Sequence, residues 1–184
     1  GLDGNGTTIA DHFDGRRFNS PNDVWVDRNG GIYFTDPRYG ATDDIELDGN
    51  HVFYITPGTN TILQVTSDLV RPNGLVGTLD GRRIYIADHG GGQTFVYDIE
   101  PDGRLNNQQV FVPQGADGIT LDSKGNVYLT GDDVTIYNPS GIPVGSIAVP
   151  EPPANLAFGG IEGTTLFITA RTSLYAVKMM VKGQ

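Results

Sequence analysis

The chain of 184 residues carries 22 Asp and Glu against 12 Lys and Arg, a formal net charge of −10. That balance repels phosphate backbones and anionic lipid, and argues against nucleic acid or a membrane surface as partner. Cysteine is absent, which excludes disulfides, thiolate metal sites and a cysteine nucleophile, and no apolar run approaches the ~18 residues of a membrane span.

The composition, with 26 Gly and 11 Pro among short β-branched and aromatic runs, predicts one all-β domain over residues 1–184 with tight turns. In chain order, Thr7–Ala10 comes first, a short alternating stretch read as an isolated strand. Four units of one pattern follow, beginning at Asn22, Asn73, Asp117 and Asn155. Intervals of about forty to fifty residues match propeller blades. Each unit reads as a strand, a glycine-containing hairpin turn and a second alternating strand.

Outer strands are expected at His51–Ile55 and Thr61–Thr66 in the first unit, and at Gln93–Asp98 and Asn107–Val112 in the second. The third has Val134–Tyr137 and Pro143–Val149. The fourth has only Ser173–Met179 and lacks an outermost strand. Propellers close by letting a strand from one end complete the blade at the other, so Thr7–Ala10 is expected beside Ser173–Met179. It would pair either within one chain or between two chains as a dimer through open blade edges.

The first residue of each unit opens the innermost strand, so equivalent positions converge on one mouth of the central axis. Asn22, Asn73, Asp117 and Asn155 form a set of hard oxygens suited to Ca²⁺ first, with Mg²⁺, Mn²⁺ or Zn²⁺ as alternatives. Asn and Asp also serve as turn residues that bond their own backbone, the bland reading of each alone. Loops after Asp36 and Asp88 bring Tyr39 and His89 to the same face. Asp44–Gly49 imitates the start of a calcium loop, but the closing glutamate position holds Ile55, so it reads as a polar loop. Asn5-Gly6-Thr7 is a glycosylation triplet of little specificity, and His12, His51 and His89 are too scattered for a zinc motif. No Gly-x-Ser-x-Gly elbow or phosphate-binding glycine loop is present.

Phe18-Asn19-Ser20-Pro21-Asn22-Asp23-Val24, followed by Ile32-Tyr33-Phe34-Thr35-Asp36-Pro37-Arg38-Tyr39-Gly40, resembles the signature of the gluconolactonase/regucalcin family. Arg71-Pro72-Asn73-Gly74-Leu75, Gly115-Ala116-Asp117-Gly118-Ile119 and Asn155-Leu156-Ala157-Phe158-Gly159-Gly160 fit in the same order. The resemblance covers nearly the whole chain and implies a six-bladed propeller, of which about four blades are present, that hydrolyses sugar lactones at one divalent metal. It further implies a metal shell of an N-terminal Glu, an Asn and an Asp. Asn73 and Asp117 match the last two, and Asn22 completes the shell or holds substrate. The Glu-bearing part is absent from these residues, so the chain is expected to be N-terminally incomplete.

Asp117 is then the expected catalytic base, with Asn22, Asn19, Tyr39, His89 and Asn155 as expected substrate contacts. Phosphotriester cleavage is a conceivable side activity. A non-catalytic propeller scaffold or a sugar- or calcium-binding module is the alternative, because propeller folds host many functions. The compartment stays open between cytoplasm, periplasm and exterior.

Overall fold

The computed structural model describes Gly4, residues 6–59 and residues 61–184; Asn5 of the glycosylation triplet lies outside the described residues. A small hairpin comes first, β1 (His12–Phe13) paired with β2 (Arg16–Arg17) across the Asp14-Gly15 turn, where both central residues have positive φ. Such turns match the twist of the strands they join.

Four antiparallel sheets follow. Blade one contains β3 (Val24–Val26), β4 (Ile32–Asp36), β5 (His51–Ile55) and β6 (Ile62–Thr66). Blade two contains β7 (Pro72–Gly77), β8 (Arg83–Asp88), β9 (Gln93–Ile99) and β10 (Leu105–Val112). Blade three contains β11 (Ile119–Leu121), β12 (Val127–Thr130), β13 (Val134–Tyr137) and β14 (Pro143–Ile147). Blade four has only β15 (Pro153–Gly159), β16 (Thr165–Ala170) and β17 (Ser173–Lys178). The chain is all-β among the described residues, with strands within each blade in sequence order, as the repeats predict.

Three core clusters lie between successive blades, and a fourth joins blade one to the N-terminal hairpin. Tyr33, Val52 and Tyr54 of blade one pack on Leu75, Ile84 and Ile86 of blade two. Tyr85 and Ala87 meet Ile119, Leu121 and Leu129, and Tyr128 and Val134 meet Leu156, Leu166 and Ile168. Truncating one such side chain, Ile168 at 0% exposure, to Ala should cost about 2–5 kcal/mol. The innermost strands touch in succession, β3 to β7, β7 to β11 and β11 to β15, which places their first residues around one axis.

The hairpin turns on the opposite face repeat one device. Asp27 Oδ1 accepts from the N–H groups of Asn29 and Gly31, and Asp122 Oδ1 accepts from those of Lys124 and Asn126. This is the self-bonding turn chemistry of aspartate. On that face the C-terminal residues cross from blade four to blade two. Gly183 bridges Asp122, and the Gln184 side chain accepts from Leu79 N–H and donates to the Gly77 carbonyl.

The predicted intramolecular closure does not occur. Residues 7–10 form no strand and lie against the outer face of blade one, where Thr7 and Ile9 line a groove with Val24 and Phe34. Their place follows from the β1–β2 hairpin, whose Phe13 packs 5.0 Å from Phe53 while Phe18 sits 5.1 Å from Phe34. That aromatic cluster holds the N-terminal segment on blade one. β17 pairs with β16 alone, and its outer edge has no strand neighbour among the described residues.

Candidate functional site

Two buried aspartates shape the mouth of the axis. Asp36 accepts from the N–H groups of Asn19 (2.8 Å) and Ser20 (2.7 Å), and Asp88 accepts from those of Val70 (2.9 Å) and Arg71 (2.7 Å). Each carboxylate closes the end of a second strand onto the segment entering the first strand of its own blade. These bonds position Asn22 and Asn73, which follow shortly after. Burial pushes the Asp36 carboxyl above its usual range, and the two backbone donors oppose that shift.

Asn73 is buried, and its side-chain nitrogen donates to the Tyr39 hydroxyl at 2.8 Å. Tyr39 comes from the loop after β4, with the Arg71 guanidinium 5.1 Å from its ring centroid and the His89 ring 6.4 Å away. Its phenol is pushed up chiefly by burial; the Asn73 bond and Arg71 oppose this, while the charges of Asp117 and Asp88 add to it. Blades two and three approach so closely here that a Cβ on Gly74 would lie 2.7 Å from the Asp117 carbonyl oxygen. Asp117 itself is exposed at the mouth. Asn22 is exposed as well, its N–H held by the Thr35 carbonyl at 2.9 Å.

Strand register shows which positions are equivalent. The N–H groups of Asp23, Gly118 and Asn155 donate to Thr35, Thr130 and Thr169 Oγ1 respectively, at 3.1, 2.8 and 3.1 Å. In blade two Pro72 faces Asp88 and Leu75 faces Ile86; in blade four Pro153 faces Ala170 and Leu156 faces Ile168. Asn22, Asn73 and Asp117 therefore share one position, and the fourth blade offers Ala154 there. Asn155 falls one residue later, level with Asp23 and Gly74. Its Oδ1 accepts its neighbour Leu156 N–H, and it lines a separate groove on the open face of blade four with Phe167 and Leu174. Asn19 is 7% exposed and donates to the carbonyls of Asp36 and Gly49, tying down a loop rather than opening on the mouth.

Asp23 was not singled out from the sequence, yet it joins the cluster. Its Oδ1 accepts from Val24 N–H, and its Oδ2 accepts from Leu75 N–H of blade two, each at 2.9 Å. Burial raises its carboxyl, its two backbone donors oppose this, and the Asp117 charge adds to the rise. Only the adjacency Asn22-Asp23 hinted at it, because the bond to Leu75 depends on how two blades meet. The Asp44–Gly49 loop is a brace, with Glu46 accepting from Arg17, Asp44 from Arg38 and Asp48 bonding His51.

Asp117 and His89 also line a cleft of about 1050 Å³ between blades two, three and four, together with Gln114, Thr130 and Ala154. Its size suits a small polar ligand. As a metal centre, the donors are hard oxygens: the Asp117 carboxylate, Asn22, and Asn73, whose nitrogen is engaged by Tyr39 so that Oδ1 is the free end. They fit a hard divalent cation in kind. Among the described residues no three His, Cys, Asp or Glu side chains gather closely enough to hold one alone, so these donors would supply only part of a shell.

Residues 2–172 match the SMP-30/Gluconolactonase/LRE-like region. A gluconolactonase of Zymomonas mobilis is 32% identical over 96% of this chain and 55% of its own length. A lactonohydrolase of Aspergillus oryzae is 23% identical over 99% of this chain and 49% of its own. The chain thus spans about half the length of the curated relatives it matches. Among solved structures, a gluconolactonase of Xanthomonas campestris superposes with a TM-score of 0.87 at 28% identity, over 100% of this chain and 64% of that one. Regucalcin of Agrobacterium tumefaciens, at 17% identity and a TM-score of 0.76 over 89% of this chain and 62% of its own, shares the fold. With a family match over nearly all its residues and a propeller that superposes on solved relatives, the chain belongs to the SMP-30/gluconolactonase/LRE-like family.

Proposed function

We propose that the protein carrying this chain hydrolyses sugar lactones at a divalent metal, calcium first, with Asp117 as general base. The observation that carries the reading is the convergence of Asn73, Tyr39 and the Asp117 charge on one mouth, at the junction of blades two and three. Support comes also from relatives named as lactone hydrolases.

Asp117, Asn73 and Asn22 would hold the cation, which when bound supplies Lewis acidity toward the lactone carbonyl. Asp117 takes a proton from water as its oxygen bonds the carbonyl carbon. The ring C–O bond then breaks, and the proton passes to the departing alkoxide, giving a hydroxy acid. Asn22 orients substrate hydroxyls, and Tyr39 and His89 form the rim. Asn19 acts from beneath, by fixing the loop that carries Tyr39. Asn155, one position off the axial set, is proposed to contact substrate only at the edge facing blade four's open side.

The test is lactone opening followed by proton release, with and without chelator, in wild type and Asp117→Asn. Turnover should need a divalent cation and fall at least about a hundredfold in the variant. Near-wild-type turnover by Asp117→Asn overturns the base assignment, and inactivity with every divalent metal favours a non-catalytic scaffold.

A further inference from the structure

Among the described residues lining the 1050 Å³ cleft, Arg171 is the only lysine or arginine. It sits in the two-residue turn joining β16 to β17, between the paired residues Ala170 and Ser173. Its φ is +43°, in the left-handed region. Such a turn position is cheapest for Gly or Asn, and an arginine there costs on the order of 1 kcal/mol or more. A strained residue persists where its surroundings hold it, and it motivates a search for a role.

The surroundings do hold it. Glu151 accepts from Thr172 Oγ1 at 2.9 Å and from Thr172 N–H at 3.3 Å, fixing the turn from the adjoining segment. Glu151 thereby spends its carboxylate on Thr172 and not on the guanidinium. Arg171 forms no salt bridge among the described residues, although most other arginines do. The cleft also carries Asp132 and Asp133 on the neighbouring blade; Asp133 accepts from Val149 N–H at 3.1 Å, and neither carboxylate forms a salt bridge with Arg171 among the described residues. In a chain of net charge −10, an unpaired guanidinium on the wall of the Asp117 cleft is a specific feature. Guanidinium groups recognise carboxylate and phosphate oxygens through paired, charge-assisted hydrogen bonds.

We propose that Arg171 is a specificity residue that binds an anionic substituent, carboxylate or phosphate, on the substrate's end remote from the scissile ester. This rests on the lactonase reading above. Blade three carries Asp117 and blade four carries Arg171, so a ligand reacting at the first can extend to the second. The turn, braced by Glu151, fixes where the exposed Arg171 side chain leaves the backbone at the cleft wall.

The experiment compares wild type, Arg171→Gln, Arg171→Lys and Arg171→Gly in the protein that carries this chain. One readout is the ratio of kcat/KM for 6-phospho-D-glucono-δ-lactone to that for neutral D-glucono-δ-lactone, with D-glucarolactone as a parallel arm that separates carboxylate from phosphate. The other is calorimetric binding of glucitol 6-phosphate against glucitol, which needs no turnover. Arg171→Gln should lower both preferences about tenfold, and Arg171→Lys should retain part of them. Arg171→Gly relieves the backbone, so it should keep or raise Tm while losing the preference. Equal ratios and affinities in wild type and Arg171→Gly, or a wild type that prefers neither the phosphate-bearing nor the carboxylate-bearing ligand over its neutral counterpart, overturn the proposal. A wild type that opens neither lactone counts against the lactonase reading, and the calorimetric arm still decides the role of Arg171.

Discussion

The Asn73 side-chain nitrogen donates to the Tyr39 hydroxyl at 2.8 Å, across the junction between blades one and two. Asn73 is 4% exposed and Tyr39 is 40% exposed. The bond therefore fixes a buried amide from a loop that solvent reaches. It also leaves the amide oxygen as the end that the proposed cation would meet.

Tyr39→Phe should lower Tm by about 2–4 °C, the effect of losing roughly 1 kcal/mol where water can replace the phenol only in part. Divalent-cation affinity should fall about three- to tenfold, because the amide is then free to rotate. Thermal melts and calorimetric titration read the two effects. Unchanged cation affinity in Tyr39→Phe would remove Asn73 from the proposed shell.

Blade two meets blade three at Gly74 with no space for a side chain. A Cβ there would sit 2.7 Å from the Asp117 carbonyl oxygen and 3.0 Å from Ile119 Cγ2. Gly74→Ala should force the two inner strands apart, cost about 1–3 kcal/mol, and move Asp117 relative to Asn73. Turnover should then fall by more than the loss of folded protein accounts for. Denaturant titration alongside kcat separates the two, and an alanine variant with full stability and rate would show that the junction yields freely.

The blades were legible because strand alternation and hairpin glycines are local signals, and they placed β5, β9 and β13 within a residue or two. Asn22, Asn73 and Asp117 followed from the repeat. Asn155 did not: β7 and β15 carry the same one-residue irregularity, Pro72 to Leu75 facing Asp88 to Ile86 and Pro153 to Leu156 facing Ala170 to Ile168, so Ala154 stands level with Asn73 and Asn155 with Gly74. Matching Asn155-Leu156 to Asn73-Gly74-Leu75 by its asparagine is therefore a misalignment by one residue, which assigns the side chain to the wrong face. Asp23 was missed for another reason. Its partner, Leu75 N–H, lies on the next blade, and no periodicity within one strand reports a bond between sheets.

Asp36 gives a pH test. Its side chain is fully buried, and burial raises its carboxyl above the unfolded value, against the pull of Asn19 and Ser20 N–H. A raised acid binds its proton more tightly when folded. Its contribution is present in full below the unfolded value and is lost as pH rises through the folded one. Asp36→Asn removes this titration and one acceptor, so the variant should be less stable than wild type at pH 4. The gap should narrow toward pH 7. Melts at both pH values measure it, and a gap that widens with pH reverses the sign of the assignment.

The last prediction concerns the edge of blade four. β17 alternates half-buried and exposed residues along Ser173–Lys178, and Leu174 is 67% exposed. Its outer backbone groups face no strand among the described residues. Such an edge pairs readily with a second strand. Since residues 7–10 are held on blade one by Phe13 and Phe18, closure within one chain would require breaking that aromatic packing. Pairing of β17 with β17 of a second copy requires no such loss, so the 184-residue chain should self-associate through this edge. Size-exclusion chromatography with light scattering should show a dimer or larger species. Leu174→Lys should shift it toward monomer, because an edge charge opposes strand addition. A monomer for the unsubstituted chain at ~100 μM would show that the edge stays open without a partner.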